Sequence, residues 1–223
     1  MTDHERKIEV KTIPVPGENW IVKSVDTRVF ADGEVCPYVI LNCQLGKRYV
    51  GLETIKNDLD TCMHLLIALE NKVSDDPLVL NALLESFITK YGRCYADAKE
   101  GRGTKLEEDI FDDAPDMIRK AHENLINERN NFTAHAGSSE SDKVSGRLAL
   151  NPPHKGQDLV TFYIARDFTF NLGADLLCEY GALIRFVKGK IDLKLDKVYE
   201  KLKEDYAKHD IKELYDRSKY VIA

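Results

Sequence analysis

The 223-residue chain is 43% apolar and 31% charged, with 13 glycines and 7 prolines, and its formal net charge is −6. That is enough apolar material for a sizeable core, and it excludes collagen-like, low-complexity and wholly disordered classes. The acidic balance argues against nucleic-acid binding by bulk charge. Charge is nevertheless uneven. Residues 100–116 hold seven acids against two bases, and residues 185–208 hold eight bases against five acids. An anionic partner would be steered toward the second segment and away from the first.

Residues 1–19 read as an irregular lead-in closed by Pro14-Val15-Pro16-Gly17. Trp20–Val29 and Tyr38–Val50 carry β-branched and aromatic residues around turn signals at Ala31-Asp32-Gly33 and Gly46-Lys47, which predicts two or three short strands. From Thr54 the period becomes helical, with Ile55, Leu59, Cys62/Met63, Leu66 and Leu69 on one stripe. A second helix starts at Asp76-Pro77: the aspartate can cap free N–H groups, and proline needs no donor in the first turn. Leu80, Leu83/Leu84, Phe87 and Tyr91 mark its buried face, and Gly92 begins its end. Residues 97–113 are polar, acidic and glycine-containing, a 17-residue loop long enough to be functional or mobile.

A third helix is predicted from Asp113 to about Ala136, with Gly137 as its stop. Its apolar stripe runs Met117/Ile118, Ala121, Leu125, Phe132 and Ala136, with Arg129 standing where another apolar residue is expected. Residues 147–150 and 159–166 predict two strands, pairing either with each other or with the N-terminal ones. Leu172 opens the longest periodic stretch, about 35 residues of three- and four-residue steps. This helix either breaks near Gly189 or extends beyond one core and offers a surface to a partner. A short helix from Ile211 to about Tyr220 follows. The fold class is therefore mainly α, about four main helices with small β-strand additions. A β-containing extension over 1–53 is expected to pack on a helical domain over 54–223, which carries a β insertion at about 144–168.

The five cysteines (Cys36, Cys43, Cys62, Cys94, Cys178) form no CxxC pair and are read as reduced thiols. No apolar signal segment opens the chain and no apolar run approaches ~18 residues, so the expectation is a cytoplasmic protein without a membrane span. The histidines lack metal-ligand spacing, and neither metal nor cofactor is expected.

Arg-Asn-Asn-Phe-Thr-Ala-His, residues 129–135, is the segment richest in chemistry. At 100° per residue Asn124, Glu128, Asn131 and His135 share a polar stripe, whereas Arg129 lies about 120° from His135. One helix alone does not close an Arg–His pair. A cleft or a second copy of the helix would, and a two-fold dimer is the simplest source of that copy. Arg129, Asn130 and His135, with five residues between the Arg and the His, resemble the signature of the HEPN superfamily, the helical domains named for higher-eukaryote and prokaryote nucleotide binding. The likeness covers about residues 54–136 and the helix after 171, and leaves out the N-terminal strands and those between 147 and 166.

The resemblance implies a HEPN-like helical bundle acting as a homodimer. It also implies a metal-independent endoribonuclease, of the kind found in toxin and phage-defence systems, that cleaves RNA by 2′-hydroxyl attack. His135 would then serve as general acid or base, Arg129 would neutralise the phosphoryl oxygens, and Asn130 would orient the phosphate or the histidine.

Other readings stand beside it. One is a non-catalytic helical module binding a nucleotide, RNA or a protein, with a basic protein partner at the acidic loop. Another is a structural dimer built on the long C-terminal helix through Leu195, Val198 or Leu202. Arg129 and His135 near a helix end also suit the dipole and open carbonyls there. Arg93 and Arg102 bracket the long loop and read first as solubilising residues. His64 with Asp60 reads as an ordinary helix pair, Cys94 as an ordinary thiol, and His122 and His154 as lone histidines.

Overall fold

The structure, a computed structural model, describes residues 8–16, 22–32, 34–97, 104–134, 142–150, 154, 159–168 and 173–218. It is mainly α-helical with small antiparallel β additions, as the sequence predicts. In chain order the elements are β1 (Ile8–Pro16), β2 (Val22–Ala31), β3 (Glu34–Val35), α1 (Gln44–Glu70), α2 (Pro77–Arg93), a 3-10 helix (Glu108–Phe111), α3 (Asp116–Ala134), β4 (Asp142–Leu150), β5 (Leu159–Phe168), α4 (Ala174–Tyr206) and α5 (Ile211–Asp216). The chain divides into two compact units, one of residues 1–43 with 201–223 and the other of residues 44–200.

In the first unit β1, β2 and β3 form an antiparallel meander in that order. Residues 8–16 of the expected irregular lead-in thus form a strand, and the rest of it lies outside the described residues. Pro14 and Pro16, opposite Val25 and Val22, stand in an edge strand of the described sheet, the place to which proline in sheets is largely confined. Of the turn predicted at Ala31-Asp32-Gly33, Ala31 and Asp32 are described and Gly33 lies outside the described residues. Ala31 pairs with Glu34, and Asp32 takes the left-handed conformation (φ 52°) that a two-residue hairpin needs.

The larger unit is built on helices. α1 begins at Gln44, so the strand expected through Val50 and the turn at Gly46-Lys47 are helical instead. The reason is visible in the spacing. Leu45, Tyr49 and Leu52 continue the three- and four-residue steps of Ile55 and Leu59 backwards, and Tyr49 packs its ring near Tyr199 of α4. α1 closes on Lys72 in the left-handed conformation (φ 46°). The Val73 N–H reaches the Ala68 carbonyl and the Lys72 N–H the Leu69 carbonyl, which satisfies groups that the helix end leaves open.

α2 starts as predicted: the Leu78 N–H donates to Asp76 Oδ1 at 2.9 Å, with Pro77 in the first turn. Lys90 and Arg93 at its basic end reach buried Asp58 of α1, at 3.4 and 3.3 Å. α3 begins at Asp116, three residues later than expected, and runs through Ala134. Ile118, Ala121 and Leu125 of its predicted stripe are buried, Met117 is exposed, and the predicted stop at Gly137 lies outside the described residues. β4 and β5 pair with each other, from Asp142–Phe168 to Leu150–Leu159.

α4 runs unbroken past Gly189. Tyr180, Leu183, Ile184, Val187, Ile191, Leu195 and Val198 are buried along it, and Tyr180 meets Phe87 of α2. Leu195, Val198 and Leu202, named above as an association surface, are buried within the chain instead. Two acids of the 100–116 segment meet lysines of the 185–208 segment. Asp109 pairs with Lys194 (3.3 Å) and Asp113 with Lys190. Lys188 pairs with Asp60 and Asp192 with Lys56 (2.6 Å). No helix among the described residues is long and apolar enough to cross a membrane.

Candidate functional site

The 3-10 helix is short, but its two apolar residues, Ile110 and Phe111, are buried and pin the second half of the long loop to the core with Leu106. Phe111 stacks near Phe186 of α4 (ring centres 6.3 Å apart) and against His122 of α3 (4.2 Å). Arg119, one turn before His122, closes the junction from its own helix. Its Nε donates to the Ala114 carbonyl (3.0 Å) and its guanidinium to the Asp112 carbonyl (3.2 Å). Between the loop and α3 lies an open cleft of about 650 Å³. It is lined by Glu108, Asp109, Phe111 and Asp112 on the loop side and by Arg119, His122, Glu123, Ile126 and Asn127 on α3.

His122 is the best-defined polar group in the cleft. Its Nδ1 lies 2.7 Å from the Tyr91 hydroxyl, which lies 3.2 Å from the Tyr95 hydroxyl. Tyr91 and Tyr95 stand one turn apart at the end of α2, and both rings contact the imidazole. Burial in this aromatic wall pushes the His122 pKa down to about 4, because the cationic ring would lose its hydration there. The same burial raises both phenols far above their ordinary range. At neutral pH the three side chains are uncharged and exchange only hydrogen bonds. His122 is therefore poorly matched to act as a general acid near pH 7.

Arg129 stands seven residues after His122, hence on the same side of α3 about two turns further on. Its stem lies on α2. A Cβ at Gly92 would come within 2.7 Å of Arg129 Cδ and 2.8 Å of Cγ, so only glycine lets the arginine lie this close. The apolar gap that Arg129 leaves in the α3 stripe is thus filled by its own methylenes, a common use of a long cationic side chain. Asn130 is exposed. His135 lies outside the described residues, as does Arg102.

The remaining candidates take plain positions. Arg93 pairs with Asp58, and His64 is exposed while its supposed partner Asp60 pairs with Lys188. Cys94 is fully buried, with its thiol on the Lys90 carbonyl, and His154 is exposed. Among the described residues, no group of three or more His, Cys, Asp or Glu side chains could hold a metal ion.

Sequence reasoning passed over the Tyr91–Tyr95–His122 cluster. Its signals were present: two tyrosines at a four-residue step, a phenylalanine inside an acidic loop, and a histidine seven residues before the conspicuous arginine. No protein-family model, curated protein or solved structure matches the chain.

Proposed function

We propose that the chain is a non-catalytic helical binding module, whose working surface is the cleft between the 3-10 helix and α3, and that the cleft takes a basic segment of a partner protein. The charge of the cleft carries this reading. Four carboxylate side chains (Glu108, Asp109, Asp112, Glu123) face one guanidinium, Arg119, which is already spent on two backbone carbonyls. Asp109 has its own lysine, but among the described residues Glu108, Asp112 and Glu123 form no ion pair. The volume lies in the usual ~300–1,000 Å³ range for ligand sites, and Phe111 and Ile126 add apolar lining for side-chain methylenes. A polyanion such as RNA would be repelled from this face. Binding of a fluorescent lysine-rich peptide, followed by anisotropy, tests the reading. Charge reversal at two positions, Glu108→Lys with Glu123→Lys, is expected to weaken binding at least tenfold and to flatten its salt dependence. Unchanged affinity and salt dependence in that variant would refute the assignment.

The seating of Arg129 against Gly92 favours a second reading, the HEPN-type endoribonuclease, because a phosphate-binding arginine works best when its stem is fixed. That reading expects RNA cleavage in EDTA with 2′,3′-cyclic phosphate ends and a dimeric solution mass. It also expects activity to disappear in Arg129→Ala and in His135→Ala while both variants stay folded. Cleavage that survives both substitutions rules it out.

A further inference from the structure

The hydrogen-bond chain behind His122 decides what the cleft shows to a ligand. The Tyr91 hydroxyl has one hydrogen and two neighbours, Tyr95 and His122 Nδ1. Were Nδ1 to carry the proton, Tyr91 would have to donate to Tyr95, and the Tyr95 hydrogen would have no acceptor among the described residues. In the opposite direction Tyr95 donates to Tyr91, Tyr91 donates to Nδ1, and every hydroxyl hydrogen is used. An unmet donor in a desolvated wall is costly, so the second arrangement is the stable one. It places the single imidazole proton on Nε2. Among the described residues Nε2 makes no hydrogen bond, yet no buried side-chain nitrogen or oxygen lacks one, so Nε2 keeps solvent access on a residue that lines the cleft.

The cleft therefore combines a neutral donor with carboxylates from the loop (Glu108, Asp112) and from α3 (Glu123). A simple cation satisfies the carboxylates and leaves Nε2–H to water. An anionic acceptor satisfies Nε2–H and meets the carboxylates unfavourably. A peptide has both complements: an uncharged main-chain carbonyl and, close to it, a cationic side chain.

We propose that His122 reads the main chain of the bound basic peptide, with Nε2–H donating to a backbone carbonyl while the adjacent carboxylates hold the lysine or arginine side chain. This rests on the reading of the cleft as a site for a basic segment. It makes that segment a true peptide ligand and excludes a free polyamine as its equal.

Two measurements test it. Long-range proton–nitrogen NMR of the free protein is expected to show the His122 proton on Nε2 with Nδ1 bare, and a proton on Nδ1 overturns the proposal. Affinities are then compared for an end-blocked lysine-rich peptide and for spermine. His122→Phe, which keeps an aromatic ring but no donor, is expected to lose about tenfold in peptide affinity with spermine binding unchanged. His122→Gln, which can set an N–H near the Nε2 position, is expected to stay within about threefold of the parent. The glutamine variant and the spectra suffice should the phenylalanine variant not fold. Equal losses for both ligands, or none, sink the role of His122 and leave the basic-segment cleft standing. Failure of both ligands to bind the parent protein removes both.

Discussion

His122 ties a single residue to the stability of the whole fold. Its folded pKa of about 4 lies below the ordinary histidine value of 6.5, so between these limits the unfolded chain takes up a proton that the folded chain refuses. Stability is full above about pH 6.5 and falls as pH drops toward 4. With a discount for the partial exposure of the ring, the loss is on the order of 1–2 kcal/mol. Urea melts of the parent and of His122→Phe from pH 7 to 4.5 are expected to converge as pH falls, and a constant gap would contradict the buried neutral ring. Gly92 and Arg129 form a second local test. Gly92→Ala alone is expected to cost about 1–3 kcal/mol by overpacking against the arginine stem. In an Arg129→Ala background the same change should become neutral or favourable, by up to ~1 kcal/mol of helix propensity. Additive effects in that double-mutant cycle would show that the two residues do not touch. Arg129 itself was legible as an anomaly in an apolar stripe. Its partner was not, because the contact is a missing Cβ on a different helix. Nor were the surroundings of His122, which Tyr91, Tyr95 and Phe111 supply from elsewhere in the chain.

Among the elements, α2 and α4 show what periodicity can establish and where it stops. The Asp76-Pro77 start and the buried Leu84, Phe87 and Tyr91 followed directly from spacing, since cap chemistry and a 3.6-residue period are local properties. The front of α1 was obscured by β-branched and aromatic residues at 38–50, whose strand preference gave way to packing of Tyr49 near Tyr199. Gly189 left α4 ambiguous in sequence, yet it sits exposed in a continuous helix, and a Cβ there meets nothing within 4 Å. Gly189→Ala is therefore expected to stabilise the protein by about 0.5–1 kcal/mol, read as a higher midpoint in thermal or urea unfolding. A lower midpoint would mean that the helix is broken or covered at this point. The lysines of α4 looked in sequence like a surface for an anionic partner. Their pairing with Asp60, Asp109 and Asp113 shows that three of them serve helix and loop packing instead.

At the scale of the molecule, the mainly helical class with small β additions was legible, because apolar spacing reports which faces are buried. Which element each face would meet was not, since that depends on chain reversals that spacing does not encode. The long stripe of α4 is the clearest instance: it read as a candidate dimer surface, and Leu195, Val198 and Leu202 are core. Leu195→Gln is accordingly expected to cost about 2–5 kcal/mol of folding stability, seen as a lowered unfolding midpoint. A folded variant of unchanged stability and smaller solution mass would restore the interface reading. Net charge also gains a location. The acids of the 100–116 segment divide between partners on α4 and a cleft that turns carboxylates outward beside a neutral histidine. A backbone NMR titration with an end-blocked lysine-rich peptide addresses that assignment most directly. Shifts concentrated at residues 108–112 and 119–127 are the predicted result. Shifts centred instead on Arg129, Asn130 and the residues after them, or spread along α4 with the cleft silent, would contradict it.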